Sequence, residues 1–186
     1  MIVKRAFNYL ISIVRIMKIR LNKRIKIKSL VSTKVEKNVR FRCLNNGSIY
    51  IDKEVFISRG SVIESFGGKL NISQGVFFND NVRVISMDSI QIGKNSMLGP
   101  GVMIYDHDHA FHNPYKLIKE QGYTKKGINI EEDVWIGANS IITKGVTIGK
   151  HSVIGANSVV TKDIPEFSVA AGNPAIIIKR IDKNIY

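Results

Sequence analysis

Cysteine is almost missing from this chain. The one thiol among 186 residues, Cys43, excludes an internal disulfide framework and cannot by itself build a thiolate metal cage. A reducing, cytoplasmic setting fits that poverty. Long apolar runs are missing too. Near the N-terminus the longest uncharged stretch, residues 6–14, has nine residues, whereas a membrane span needs about 20. Arg15 follows it and no small-residue cleavage site appears, which argues against a signal peptide. Neither GxxxxGK[ST] nor GxGxxG occurs, which counts against nucleoside-triphosphate and dinucleotide chemistry. Acidic residues are absent from positions 1–35. That stretch holds ten Lys and Arg, and Glu36 is the first acid.

What remains is an ordinary folded composition, 44% hydrophobic and 23% charged, enough for one cored domain. The net charge of +13 suggests nucleic acid until it is located. Beyond residue 35 the chain carries 18 basic against 15 acidic residues, so the body is nearly neutral, with no aromatic–basic platform. No nucleic-acid partner is expected. The basic segment has helical periodicity: Val3, Phe7, Leu10, Val14, Met17 and Leu21 recur at spacings of four and three, with Lys4, Asn8, Arg15, Lys18 and Asn22 away from that stripe. It reads as a basic amphipathic helix. Either residues 1–30 make peripheral contact with an anionic membrane, or the helix packs on its own or a neighbouring subunit. Residues 23–28, alternating cation and isoleucine, read as a short strand or a solvated connector.

The decisive pattern is a repeat of six. Ile130, Ile136, Ile142, Ile148, Ile154 and Val160 recur every sixth residue. Four positions after each comes Val134, Ser140, Val146, Ser152, Ser158 or Ile164. That period fits neither an α-helix nor an alternating strand. Upstream copies place matching isoleucines at Ile51, Ile72 and Ile92, separated from one another and from Ile130 by 21, 20 and 38 residues. Three hexads make one 18-residue turn of a triangular coil, so two turns carry small bulges and one a long insertion. The spacing predicts an all-β solenoid of about five coils from Ile51 to residue 165, with a partial coil before them. Inward aliphatics stack, and glycine serves the corners where φ disfavours other residues. The expected divisions are an appendage at 1–35, the solenoid at 36–165 with an insertion at about 105–127, and a C-terminal segment at 166–186.

The run Ile130-Glu-Glu-Asp-Val-Trp-Ile-Gly-Ala-Asn-Ser, with Gly145-Val-Thr-Ile-Gly, Val153-Ile-Gly-Ala-Asn-Ser-Val-Val-Thr-Lys-Asp-Ile-Pro and Ala171-Gly-Asn-Pro-Ala, resembles the hexapeptide-repeat acyltransferases. Within them it is most similar to the galactoside, maltose and xenobiotic O-acetyltransferase branch. The likeness is specific across about 72–180, loose over 36–71 and absent before. It implies a left-handed parallel β-helix, a homotrimer with active sites between subunits, and acetyl-CoA as donor.

Transfer from a thioester to an alcohol needs a base for the hydroxyl proton, donors for the oxyanion, and positioning of two substrates. Loops that interrupt a scaffold are where such groups gather. The insertion opens with Tyr105-Asp-His-Asp-His-Ala-Phe-His112, holding three of the four histidines. In the related enzymes the catalytic histidine stands five residues beyond the inward aliphatic that ends the coil. From Ile104 that count reaches His109, the expected general base. His107 and His112 read as loop residues, and Asp106, Asp108 or a backbone carbonyl would orient His109. The same cluster offers imidazole and carboxylate donors that suit zinc. The γ-class carbonic anhydrases, built on this solenoid, use three well-separated histidines, unlike this local cluster, and no metal is expected.

The resemblance places Asn79 at the acceptor, although asparagine is also common at turns for backbone reasons. It places Trp135 on the CoA groove, with a subunit-interface role as the rival. Ala138 and Ala156 would admit the pantetheine arm, and Thr161, Lys162 and, more weakly, Lys179 would meet the nucleotide end, with Arg180 beside it. A basic residue often follows the family's Asn-Pro-Ala, where this chain has Ile176, and that departure puts phosphate contact in doubt. The expected acceptor is a sugar hydroxyl, in surface polysaccharide or its lipid-linked precursor at the inner face of the cytoplasmic membrane. Alternatives are a soluble sugar or antibiotic, an amino sugar taking N-acetyl, and, outside enzymes, a catalytically silent β-helix scaffold.

Overall fold

A residue type repeated every sixth position can be buried at every repeat only if the chain turns through a third of a circle each time. In the computed structural model, which describes residues 2–182 with side chains from residue 9 onward, the chain winds through six full turns of a three-faced parallel β-helix. One inward residue per face stacks on its counterpart in the next turn. On the first face the ladder is Ile27, Ile51, Ile72, Ile92, Ile130 and Ile148. On the second it is Val35, Ile57, Phe78, Leu98, Ile136, Ile154 and Ala170. On the third it is Phe41, Ile63, Val84, Ile104, Ile142 and Val160. All but Phe41 are buried.

The small residue four places later sits at the corner, where a hydroxyl finds backbone partners. Ser140 and Ser158 donate to the Gly155 carbonyl at 2.9 and 2.7 Å, and Ser152 to that of Pro165 at 2.9 Å. Buried serine is therefore satisfied.

The glycines that follow the aliphatics have a different cause from the one their position suggests. Gly137 and Gly149 do not have positive φ. A Cβ on Gly137 would lie 2.6 Å from the Ala156 nitrogen, and one on Gly149 would lie 2.3 Å from the Glu166 nitrogen. Coil-on-coil closeness forbids a side chain there. Left-handed corner conformations fall to other glycines, such as Gly60, Gly75, Gly101 and Gly145, and to short polar residues, Asn81, Asn95, Asp133, Asn139 and Asn157 among them.

The solenoid also starts and ends outside the expected limits. Its first strand, Ile25–Ile27, buries both isoleucines and pairs Ile25 with Ile49, so residues 25–35 belong to the body. Lys26 points outward in the same strand, so of the two readings of the alternation at 23–28 the short strand is the one formed. At the other end Ser168–Gly172 continues the second face, and Ala175–Arg180 folds back on it antiparallel.

Before the first turn stands the helix α1, Ile2–Arg20. It closes the open end of the core with Ser12 and Ile16, supported by Ile19. Ile16 is fully buried in the same cluster as Ile25, Ile27 and Val35, and Ser12 Oγ accepts the Val35 N–H at 2.9 Å. The stripe picked out in the sequence is not the packed one. Leu10, Val14, Met17 and Leu21 are exposed, and the side chains of Val3, Lys4, Phe7 and Asn8 lie outside the described residues.

Residues in excess of the hexads accumulate on one edge, between the third and first faces: 45–47, 67–68, 87–88 and the long excursion 106–127. Asp106 fastens that edge. Its fully buried carboxylate accepts Ser86 Oγ at 2.8 Å and the Met87 and Asp88 N–H groups at 2.7 and 2.9 Å. Burial pushes this carboxyl up, but the bonds from His107, Met87, Asp88 and Ser86 together hold it below the ordinary carboxylate range.

Two outcomes follow. Ile148→Asp places an unpaired carboxylate in the first-face ladder at a cost of several kcal/mol, comparable to a domain's whole stability. Thermal unfolding should show no cooperative transition, and a soluble, folded variant would refute the ladder. Asp106→Asn should cost about 3 kcal/mol. Because the folded pKa is lowered, the ionised group's contribution is complete above about pH 4 and is lost as pH falls through the folded value. The difference in melting temperature from wild type should be constant at neutral pH and close on acidification.

Candidate active site

The excursion that Asp106 anchors is a hairpin. Strand His107–His109 pairs antiparallel with Tyr123–Lys125, setting His109 opposite Tyr123 and His107 opposite Lys125. Strand alternation puts the two imidazoles on one side and Asp108 on the other. Asp108 forms an ion pair with Lys144, from the following turn, which ties the hairpin to the body. On the imidazole side the His109 and Tyr123 rings lie 4.6 Å apart at 35°, and Tyr123 also meets the edge of His107 at 5.8 Å. His112 lies farther out, against Phe111 at 4.7 Å.

The two central histidines are held differently. His107 Nδ1 lies 3.1 Å from Asp106 Oδ1. An ionised carboxylate can only accept, so Nδ1 carries a proton and points it at Asp106, which leaves Nε2 facing away from the carboxylate. His109 is exposed and makes no hydrogen bond with the described residues, which leaves both ring nitrogens open to a ligand. Neither candidate acid orients it: Asp106 is committed to His107 and Asp108 to Lys144. Its contact is the Tyr123 ring. Tyr123 and Lys144 were invisible in the sequence, because only the pairing of the hairpin and its seat on the next coil bring them here. Among the described residues, no group of three or more His, Cys, Asp and Glu is placed to hold a metal.

The other expected residues divide between two edges. Thr161 and Lys162 are exposed just past Val160, on the same edge as the hairpin. Asn79, Ala138 and Ala156 line the edge between the second and third faces. Asn79 closes its own turn there, its Oδ1 accepting the Asp80 N–H at 2.8 Å. Ala138 and Ala156 follow one above the other, with the Asn157 N–H donating to the Ala138 carbonyl at 2.8 Å. Trp135 stands exposed on the second face, between Met97 and Val153 in its outward ladder. Lys179 is exposed on the closing strand opposite Val169, whereas Arg180 is tied down by Ser168 Oγ at 2.8 Å. The chain thus carries two half-sets of residues separated by the width of its third face.

Residues 127–162 match the family model "Bacterial transferase hexapeptide (six repeats)". WbbJ of Escherichia coli K12, assigned as a lipopolysaccharide biosynthesis O-acetyl transferase, is 32% identical over 152 residues, covering 76% of this chain and 78% of its own. The galactoside O-acetyltransferase of the same organism is 37% identical over 144 residues, 72% and 70% of the two chains. Among solved structures, the polySia-specific acetyltransferase NeuO aligns over 87% of both chains with a TM-score of 0.56 and 28% identity. The N-acyltransferase AntD of Bacillus cereus, at 20% identity, shares the fold with a TM-score of 0.73 over 90% of this chain. The hexad ladders, the histidine-bearing excursion and these relatives together make the chain a member of the left-handed β-helical hexapeptide-repeat acyltransferases, and an O-acetyltransferase among them.

Proposed function

We propose that this enzyme transfers acetyl from acetyl-CoA to a sugar hydroxyl of a surface polysaccharide or its lipid-linked precursor, with His109 as general base. The observation that carries the reading is the exposed His109 imidazole, steadied by Tyr123 across the paired strands of a hairpin that two tethers hold to the solenoid: the Asp106 hydrogen bonds and the Asp108–Lys144 pair. His109 takes the acceptor's proton as its oxygen attacks the thioester carbonyl. The tetrahedral oxyanion collapses, expels the thiolate, and the imidazolium returns the proton to sulfur, giving ester and free CoA. A thiolate leaves without Lewis-acid help, so this route uses no metal. The glycan acceptor is supported by relatives: WbbJ is assigned to lipopolysaccharide, NeuO is named for polysialic acid, and a third relative acts on galactosides.

The working unit is a homotrimer, in which the hairpin edge of one copy meets the Asn79 edge of the next. Two features support this. The half-sets lie on different edges of one protomer. The outward ladder of the second face is apolar beyond its first member, Lys34, running through Phe56, Phe77, Met97, Trp135, Val153 and Val169, whereas that of the first, Lys26, Tyr50, Asn71, Gln91, Asn129 and Thr147, is mostly polar. CoA then lies between Ala138, Ala156 and Trp135 of one copy and Thr161 and Lys162 of the other, with Lys179 near its phosphates. The Asp106–His107 pair favours a second reading, in which His107 Nε2 is the base and His109 binds acceptor.

Mutation separates these readings. His109→Ala should lower kcat by roughly 10²–10⁴-fold with CoA binding retained. A loss of that size in His107→Ala, with His109→Ala near wild type, would transfer the role to His107. Exhaustive chelation should leave acetyl transfer unchanged; activity lost to chelator and restored by zinc would overturn the metal-free route.

A further inference from the structure

The helix α1 has two apolar faces, and the solenoid uses only one. Ser12, Ile16 and Ile19 seat it on the first turn. On a 3.6-residue helix Leu10, Val14 and Met17 fall on nearly the opposite side, and Leu21 follows in the turn just past the helix end. They are 60%, 52%, 52% and 83% exposed, a continuous apolar stripe turned away from the body. Single exposed apolar residues are ordinary, but an aligned row of four marks a contact surface.

Charge around the stripe identifies what it contacts. Lys18 flanks it on the helix, and Lys23 and Lys26 follow at the same end of the molecule. All three are exposed and have no ion-pair partner among the described residues. Glu36, the first acid in the chain, and Asp52 are already paired with Lys34 and Lys28. No helix among the described residues is long and apolar enough to cross a membrane. A helix with an outward apolar row, basic surroundings and no acid suits the plane of a lipid–water interface.

We propose that the outward stripe of α1 docks this enzyme on an anionic lipid surface, with the solenoid standing on its helix-capped end. Apolar burial and cation attraction act together, each cation near an anionic surface adding about 1 kcal/mol at low salt. A second consequence rests on the acceptor reading given above. The His107–His109 hairpin leaves the fourth turn, three strand spacings from the first, about 14 Å at about 4.8 Å each. With a helix about 10 Å thick beneath, the imidazoles stand roughly 25 Å from the lipid. That height suits a sugar several units along a membrane-borne glycan, not one joined directly to the lipid headgroup.

The test is co-sedimentation of the full chain with vesicles of phosphatidylglycerol mixed with phosphatidylcholine, against phosphatidylcholine alone. The wild type should bind the anionic vesicles, and less so as salt rises. Val14→Gln combined with Met17→Gln should weaken that partition about tenfold or more. Its melting temperature and its transfer to a soluble sugar should be unchanged, because neither residue packs on the body. Vesicle binding does not depend on turnover, so it can fail while the acceptor reading stands, and the reverse. Absence of wild-type binding overturns the proposal. So does a double variant that binds as well as wild type, or one whose mass by light scattering falls, because the stripe is then covered by a second copy.

Discussion

Everything in this molecule depends on how closely one coil lies on the next. Stacked aliphatics supply the favourable burial, roughly 1.5–3 kcal/mol for each large side chain removed from water. They can stack only because the corner backbones nearly touch. At Gly137 and Gly149 there is no room for a Cβ, so glycine there is dictated by packing, and the left-handed turns fall at other positions, to asparagine, aspartate and further glycines such as Gly75 and Gly101. The same closeness makes the backbone of the solenoid almost featureless. With three faces and two regular edges committed to stacking, chemistry has room only where the hexad register is broken.

The breaks are concentrated on the edge between the third and first faces. Small surpluses there, at 45–47, 67–68 and 87–88, precede the 22-residue excursion of 106–127. Asp106 joins two of these irregularities, since its carboxylate holds the 86–88 turn of one coil and the first histidine of the next. One buried side chain therefore serves the continuity of the solenoid and the root of the hairpin at once.

The sequence made the repeat legible because period six survives any local noise over six consecutive copies. It made the first turn only partly legible, as a short strand or connector at 23–28 and a partial coil. Ile27 and Ile51 stand 24 residues apart, well over a regular turn, and the cations Lys26 and Lys28 left that stretch assigned to a basic appendage. The helix was read correctly as a helix, but its most regular apolar row turned out to be the free one, while a sparser row containing a serine is buried. Periodicity finds amphipathic faces and does not say which neighbour each will meet. Within the insertion, the family's spacing counted from Ile104 led to a histidine that the structure leaves open to ligand. It could not reveal Tyr123, fourteen residues away, or the commitment of Asp108 to Lys144, because both depend on a hairpin register that no repeat encodes.

A base on a projecting hairpin gains reach and loses rigidity, and the arrangement around His109 bears on that conflict. An outward residue of a solenoid strand is held firmly but cannot leave its 4.8 Å column. The hairpin carries His109 off the column toward the space where a neighbouring copy's edge would stand. Its freedom is then reduced at separate points: Asp106 at the root, Lys144 beneath Asp108, and the Tyr123 ring against His109 from the opposite strand. Acyl transfer is sensitive to such restraint, since a displacement of about 1 Å at the reacting groups can cost about a hundredfold in rate. None of these tethers uses a ring nitrogen of His109, so the imidazole proposed as base is positioned without being occupied.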